Sequence, residues 1–315
     1  MSLKKGDLTN GFRLQEVTEI KELNANALMF FHEKSGAQLI YVQNEDDNKV
    51  FSIAFRTPPP DNTGVPHIME HSVLCGSRKF PVREPFVELA KGSLNTFLNA
   101  MTYPDKTVYP IASRNDKDFV NLMDVYLDAV FYPNIYDQPE TLMQEGWHYE
   151  LENMEQPLTY KGVVYNEMKG AFSSPEQVLF RKIQESLYPD TPYANESGGD
   201  PDYIPDLTQE DFLAFHKNYY HPSNSYIYLY GNGEIEEHLQ FINEEYLSRF
   251  DKAEIDSEIT RQAPFTEMRR QEIEYSISPQ DNPEGKTYLS LNFAVGSSTD
   301  PFQYIAFDIL QYLLL

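Results

Sequence analysis

The stretch Val65-Pro66-His67-Ile68-Met69-Glu70-His71-Ser72-Val73-Leu74-Cys75-Gly76 constrains this chain more than any other, because it sets two imidazoles one helical turn apart with a carboxylate beside the second. On a helix advancing about 100° per residue, His67 and His71 lie about 40° apart and Glu70 falls about 60° to the other side of His67, so all three share one face. Gly64 and Pro66 open the segment as loop and first helical residue, and Gly76 stands where the helix should end. Upstream, Val50-Phe51-Ser52-Ile53-Ala54-Phe55 reads as a largely buried strand, and Pro58-Pro59-Pro60 marks its exit. The chain therefore has to present these histidines on a short, bounded helix directly after a core strand.

Neutral imidazoles at positions i and i+4 suit a tetrahedral divalent metal, while a neighbouring carboxylate held off the metal takes a proton from its bound water. The order His-x-x-Glu-His is the inverse of the His-Glu-x-x-His metal signature. Five residues can also fall together by chance, and the plain alternative is a polar helix face with solvated histidines. A catalytic zinc needs a third protein ligand and an open fourth position. Glu167 is the leading candidate, in Lys161-Gly162-Val163-Val164-Tyr165-Asn166-Glu167-Met168-Lys169-Gly170-Ala171, a segment that could open a long helix running towards Leu187. Glu145, Glu150, Glu152 and Glu176 are rivals that spacing leaves open.

Five strings occur in this order: His67-Ile68-Met69-Glu70-His71-Ser72-Val73-Leu74-Cys75-Gly76-Ser77, Leu94-Asn95-Thr96-Phe97-Leu98-Asn99-Ala100-Met101-Thr102-Tyr103-Pro104-Asp105-Lys106-Thr107, Val163-Val164-Tyr165-Asn166-Glu167-Met168-Lys169-Gly170, Ser197-Gly198-Gly199-Asp200-Pro201 and His221-Pro222-Ser223-Asn224. Together they resemble the presequence-protease branch of the insulinase/pitrilysin zinc peptidases. The resemblance implies that His67, His71 and Glu167 hold one zinc ion per chain and that Glu70 is the base. It also implies a substrate-binding role for Asn99 and Ala100, since the family holds peptides as an added strand on a sheet edge at the corresponding place. The residues allow this, with Leu98–Tyr103 and Thr107–Ala112 reading as two strands joined through Pro104-Asp105-Lys106. The plain alternative is an ordinary hairpin in which Asn99 only turns the chain.

The chain has 315 residues, 41% of them hydrophobic with 20 Phe and 22 Tyr, which is ample for a packed core. No apolar run approaches the roughly 20 residues of a membrane span, and Met1 to Phe12 lacks the apolar core of an export signal. One cysteine makes no internal disulfide, which fits a reducing compartment and cytoplasmic life. Cys75 reads as a small buried hydrophobe. A net charge of -24 argues against nucleic acid and would favour basic peptides if the carboxylates line a cavity, the plain alternative being an acidic surface.

Phe119, Leu122, Met123, Tyr126, Leu127 and Val130 recur at helical spacing from Asp118 to Phe131 and read as core. Thr208-Gln209-Glu210-Asp211 resembles a capping box before Phe212, and Ser225 to Tyr230 reads as a strand. His216, His221 and His238 read as surface or core-edge residues. Residues 1–250 are expected to form a zinc-binding catalytic α+β domain and 251–270 a linker. Residues 271–315 would begin a second, incomplete α+β domain, with strands at Glu274–Ile277 and Thr287–Phe293 and a helix from Pro301 into Leu313-Leu314-Leu315. The implied fold is an insulinase-like α/β roll, an antiparallel or mixed sheet with helices on one side. The expected activity is that of a zinc metalloendopeptidase cleaving unstructured peptides, and the resemblance adds a second half-molecule, absent from this sequence, that closes over the site. Its absence puts turnover by this chain alone in question. Two alternatives stand beside this: a non-catalytic subunit of the same fold serving as a peptide-binding or assembly module, and a zinc hydrolase with a non-peptide substrate.

Overall fold

The computed structural model describes residues 3–82, 85–280 and 282–314, so Met1, Ser2 and Leu315 of the terminal stretches considered above lie outside the described residues. Strands β1 (Leu8–Thr9), β2 (Phe12–Ile20), β3 (Ala25–His32), β4 (Gln38–Gln43) and β5 (Lys49–Arg56) precede the first helix, α1 (Val65–Val73). Then come α2 (Pro85–Gly92), β6 (Asn95–Leu98), β7 (Met101–Thr102), β8 (Lys106–Ser113), α3 (Asp116–Phe131) and α4 (Glu140–Glu145). A small hairpin of β9 (His148–Glu150) and β10 (Thr159–Lys161) leads into α5 (Val163–Ala171), α6 (Pro175–Leu187) and α7 (Gln209–Tyr219). Strand β11 (Ser225–Gly231), α8 (Ile235–Glu245) and α9 (Pro301–Leu314) complete the described elements.

Period-two patterning builds the sheet. In β5 the side chains of Phe51, Ile53 and Phe55 are buried while Ser52 and Ala54 point to the other, half-covered face, and β11 repeats this with Ile227 and Leu229 against Tyr226 and Tyr228. The sheet runs β1-β2-β3-β4-β11-β5-β8-β6, with β7 also on β8. Its pairs are antiparallel except β11 with β4, so the sheet is mixed. Helices cover the buried face, where Phe119, Leu122, Met123 and Tyr126 of α3, Phe212 and Phe215 of α7, and Leu239 and Ile242 of α8 join one core with β5 and β11. The α3 stripe is core, as its spacing predicts, and the cap at Thr208 forms, its hydroxyl accepting from the Asp211 amide.

Three local expectations change. The long helix towards Leu187 is two helices, because Ser174 caps a new start and Pro175, lacking an N–H, disfavours helical backbone before it. The expected strand Leu98–Tyr103 is split into β6 and β7 at Asn99 and Ala100, both pieces pairing with β8. Glu274–Ile277 and Thr287–Phe293 form no strand: among the described residues neither has a neighbouring strand to take its N–H and C=O groups, and they approach through the Tyr275 and Tyr288 rings, 5.8 Å apart, beside a hydrogen bond from the Tyr275 hydroxyl to the Lys286 carbonyl.

Residues 251–270 carry neither helix nor strand, but they are tacked to the domain, Gln262 among them by exchanging hydrogen bonds with Asp190. The Ala253 amide donates to Ser223 Oγ at 2.9 Å and Ser257 Oγ to Asn224 Oδ1 at 2.7 Å. Helix α9 forms where expected and buries none of its described residues.

Candidate metal centre

Helix α1 is fixed at its start by backbone contact. Gly64, at φ 70°, caps it, and Ile68, Met69 and Val73 turn into the core. The opposite face presents His67, Glu70 and His71 to a cavity of about 850 Å³, which Asn99, Ala100, Thr102, Glu145, Glu167 and Glu196 also line.

Both histidine tautomers follow from what their Nδ1 atoms meet. His67 Nδ1 lies 3.0 Å from the Gly198 carbonyl and His71 Nδ1 lies 3.3 Å from Glu145 Oε2. A carbonyl and a carboxylate only accept, so each Nδ1 carries the hydrogen and donates it, leaving each Nε2 with a bare lone pair. Those two Nε2 atoms face Glu167 Oε2, at 3.8 Å from His67 and 4.0 Å from His71. One ligand atom from each of the three residues falls within 4.8 Å of the others. Tetrahedral ligands about 2.0–2.1 Å from a zinc ion stand roughly 3.3 Å apart, so an inward shift of some tenths of an ångström would close the set. Glu167 is 55% exposed, and the two imidazoles would have to draw together as well, since the spread of up to 4.8 Å exceeds both distances from Glu167. Two neutral imidazoles and one carboxylate are, besides, a donor set suited to a catalytic zinc with one position left open.

The helix bearing Glu167 is seated by a close backbone approach: a Cβ on Gly162 would lie 2.0 Å from the Gly146 carbonyl oxygen. That junction sets the start of α5 against the end of α4, where Glu145 lies.

Glu70 stands apart from this trio. Its buried carboxylate accepts from Thr102 Oγ1 at 2.7 Å, so strand β7, which also lines the cavity, holds it. The Tyr126 phenol has its pKa raised, first by burial and then by the charge on Glu70. Burial lowers the pKa of His71, but the Glu145 hydrogen bond and the charges of Glu70, Glu145 and Glu167 outweigh it and the net direction is upward. Negative charge thus accumulates around the two imidazoles.

The rival carboxylates are engaged elsewhere or on the wrong side. Glu150 and Glu152 pair with Lys161 at 3.5 and 3.0 Å, and Glu176 accepts from Ser174 and Tyr288. Glu145 lines the cavity but reaches the Nδ1 edge of His71, away from the shared point. Asn99 has its backbone occupied, its amide donating to the Pro110 carbonyl at 3.2 Å and its carbonyl accepting from Tyr126 Oη at 3.1 Å. Ala100, in the gap between β6 and β7, has no backbone hydrogen-bond partner among the described residues. The histidines expected at the surface or core edge differ from that in two cases, since His216 and His238 are buried. His216 donates from Nε2 to the Val130 carbonyl and accepts at Nδ1 from Tyr136 Oη. Cys75 is half-buried on the cavity wall. Sequence reasoning missed the parts played by Gly198, Thr102 and Glu145: Gly198 and Thr102 stand in two of the quoted strings and Glu145 among the rival ligands, but none of these signals pointed to the partner found here.

Residues 56–200, which contain every residue of this site, match the family model described as Insulinase (Peptidase family M16), and residues 206–315 match the one described as Peptidase M16 inactive domain. Presequence protease 1, chloroplastic/mitochondrial, of Arabidopsis thaliana is 48% identical over 308 residues, which cover 97% of this chain and 28% of that protein.

The chain belongs to the insulinase family.

Within the insulinase family it falls in the presequence-protease-like branch. Presequence protease, mitochondrial, of Mus musculus is 42% identical over 321 residues, spanning 100% of this chain and 31% of that protein. A Clostridium perfringens relative named Protein HypA is 61% identical over 314 residues, spanning 100% of this chain and 32% of its own length. The chain thus spans about a third of the length of these curated relatives. The crystal structure of pitrilysin superposes with a TM-score of 0.62 at 17% identity, over 79% of this chain and 25% of that one, and so shares its fold.

Proposed function

We propose that this chain carries the catalytic centre of a zinc metalloendopeptidase acting on unstructured peptides. The observation that carries this reading is the convergence of His67 Nε2, His71 Nε2 and Glu167 Oε2 on one point at the floor of a cavity that Glu70 also lines. His67, His71 and Glu167 would hold one zinc ion, with the two Nδ1 hydrogen bonds keeping both imidazoles in the coordinating tautomer. When bound, zinc would supply Lewis acidity to a scissile carbonyl and lower the pKa of water to about 7. Glu70 takes the proton that the attacking water loses and returns it to the leaving amine. The Thr102 hydroxyl holds one oxygen of Glu70 and leaves the other for that transfer. An extended peptide would pair with the vacant backbone of Ala100 at the sheet edge, with the Asn99 side chain beside it.

Among the described residues the cavity lining includes Glu70, Glu145, Glu167 and Glu196 and neither lysine nor arginine, which favours peptides of positive charge. Residues 271–314 begin a second domain in this reading, and the remainder of a longer polypeptide covers apolar side chains such as Leu289 and Phe302. The single cysteine fits a reducing compartment, for which we propose the cytoplasm. Hydrolysis of a quenched unstructured peptide by the full-length protein tests the reading. Activity should vanish with a chelator and return with added zinc; activity indifferent to chelation would contradict it.

A further inference from the structure

Glu145 ends helix α4 with its carboxylate buried at 7% exposure, an arrangement no solvated surface acid needs. One oxygen accepts from His71 Nδ1 at 3.3 Å and the other from Gln144 Nε2 at 3.1 Å, so both ends of the carboxylate are held. The Gly146–Gly162 contact locks the adjoining backbone against the start of α5, the helix that carries Glu167. One rigid junction therefore sets both the carboxylate behind His71 and the carboxylate in front of it. His67 is supported differently, by the neutral carbonyl of Gly198. A hydrogen bond to a charged acceptor is stronger than one to a peptide carbonyl and makes the imidazole a better electron-pair donor.

We propose that Glu145 is a positioning residue for His71, fixing its tautomer and tilt and thereby setting how tightly the His67, His71 and Glu167 cluster holds a divalent cation. The proposal rests on the metal-site reading above. Glu145 itself stays off the cation, because its oxygen occupies the Nδ1 edge of the ring while Nε2 faces Glu167.

The full-length protein, stripped of metal, is titrated with Zn2+ against a chelator of known affinity and separately with Co2+, whose visible absorption reports ligand geometry. Parent, Glu145→Gln, Glu145→Ala and Glu167→Gln proteins are compared, with a thermal melt of each metal-free form. Glu145→Gln preserves shape and an acceptor oxygen but removes the charge, and should weaken zinc about 10-fold; Glu145→Ala should weaken it up to about 100-fold. Both should shift the cobalt spectrum, while Glu167→Gln should abolish it. Should the alanine variant fail to fold, the glutamine variant alone decides. Variants at 145 that bind zinc within twofold of the parent and give its cobalt spectrum would overturn the positioning role and leave the metal site standing. A parent that binds neither ion would overturn both.

Discussion

Gly64 and Gly199 meet backbone to backbone: a Cβ on Gly64 would sit 2.4 Å from the Gly199 Cα. This contact presses the start of α1 against the loop whose Gly198 carbonyl receives the His67 hydrogen. The same loop is pinned by the Asp200 amide donating to the Asn62 carbonyl at 2.9 Å, and by Arg181, which pairs with the Asp200 carboxylate. His67 is therefore aimed by packing behind it.

Gly64→Ala should unseat that arrangement. A Cβ here meets backbone that cannot step aside and also sits at φ 70°, so we expect a loss of about 2–4 kcal/mol. Chemical denaturation of the two proteins checks the stability loss, and a zinc competition titration should show weaker binding as well. Parent-like values in both would mean that the loop is not held by this contact.

Glu70→Gln should leave about one zinc per chain and abolish peptide hydrolysis in the full-length protein, because Glu70 lines the cavity outside the His67, His71 and Glu167 trio and has one oxygen on Thr102. Zinc content and turnover measured on the same preparation decide this. Zinc lost together with activity would make Glu70 a ligand.

The spacing of His67 and His71 is legible in the sequence because one helix fixes it. Glu145 and Gly198 are not, since they reach the histidines from 74 and 131 residues away, and nothing local at either position announces the contact. Asn99 illustrates a second limit: a strand-like pattern hides the break at which its carbonyl turns to the Tyr126 hydroxyl. Patterns at 274–277 and 287–293 alternate like strands, yet alternation describes a face and not the neighbour a strand requires.

Acid should destabilise the domain through two buried histidines. Burial lowers the pKa of His216 to about 4 against the opposing bond to the Val130 carbonyl, and burial likewise lowers His238 to about 4, with Asp116 opposing. Unfolded imidazoles titrate near 6.5, so between that value and about 4 the unfolded chain binds more protons than the folded one. Stability is complete above pH 6.5, falls as pH drops towards 4 by on the order of 3 kcal/mol per histidine, and levels off below. Urea melts across this range, beside His216→Gln, should show a shallower pH slope for the variant. Equal slopes would mean that His216 titrates normally in the fold.

Residues 1–315 expressed alone should self-associate, since Leu289, Leu291, Phe293, Phe302 and Leu313 are all more than two-thirds exposed. Light scattering at micromolar concentration should report oligomers. A monodisperse monomer would show that these side chains need no partner surface.

The central claim is that His67, His71 and Glu167 hold a zinc ion, and metal analysis of full-length protein purified without added zinc tests it most directly. The account predicts about one zinc per chain in the parent, strong loss from Glu167→Ala under mild chelation, and retention in Glu176→Ala, whose carboxylate is engaged with Ser174 and Tyr288. A parent free of zinc, or a Glu167→Ala protein that keeps it, would contradict the account and favour a non-catalytic binding or assembly module built on the same fold.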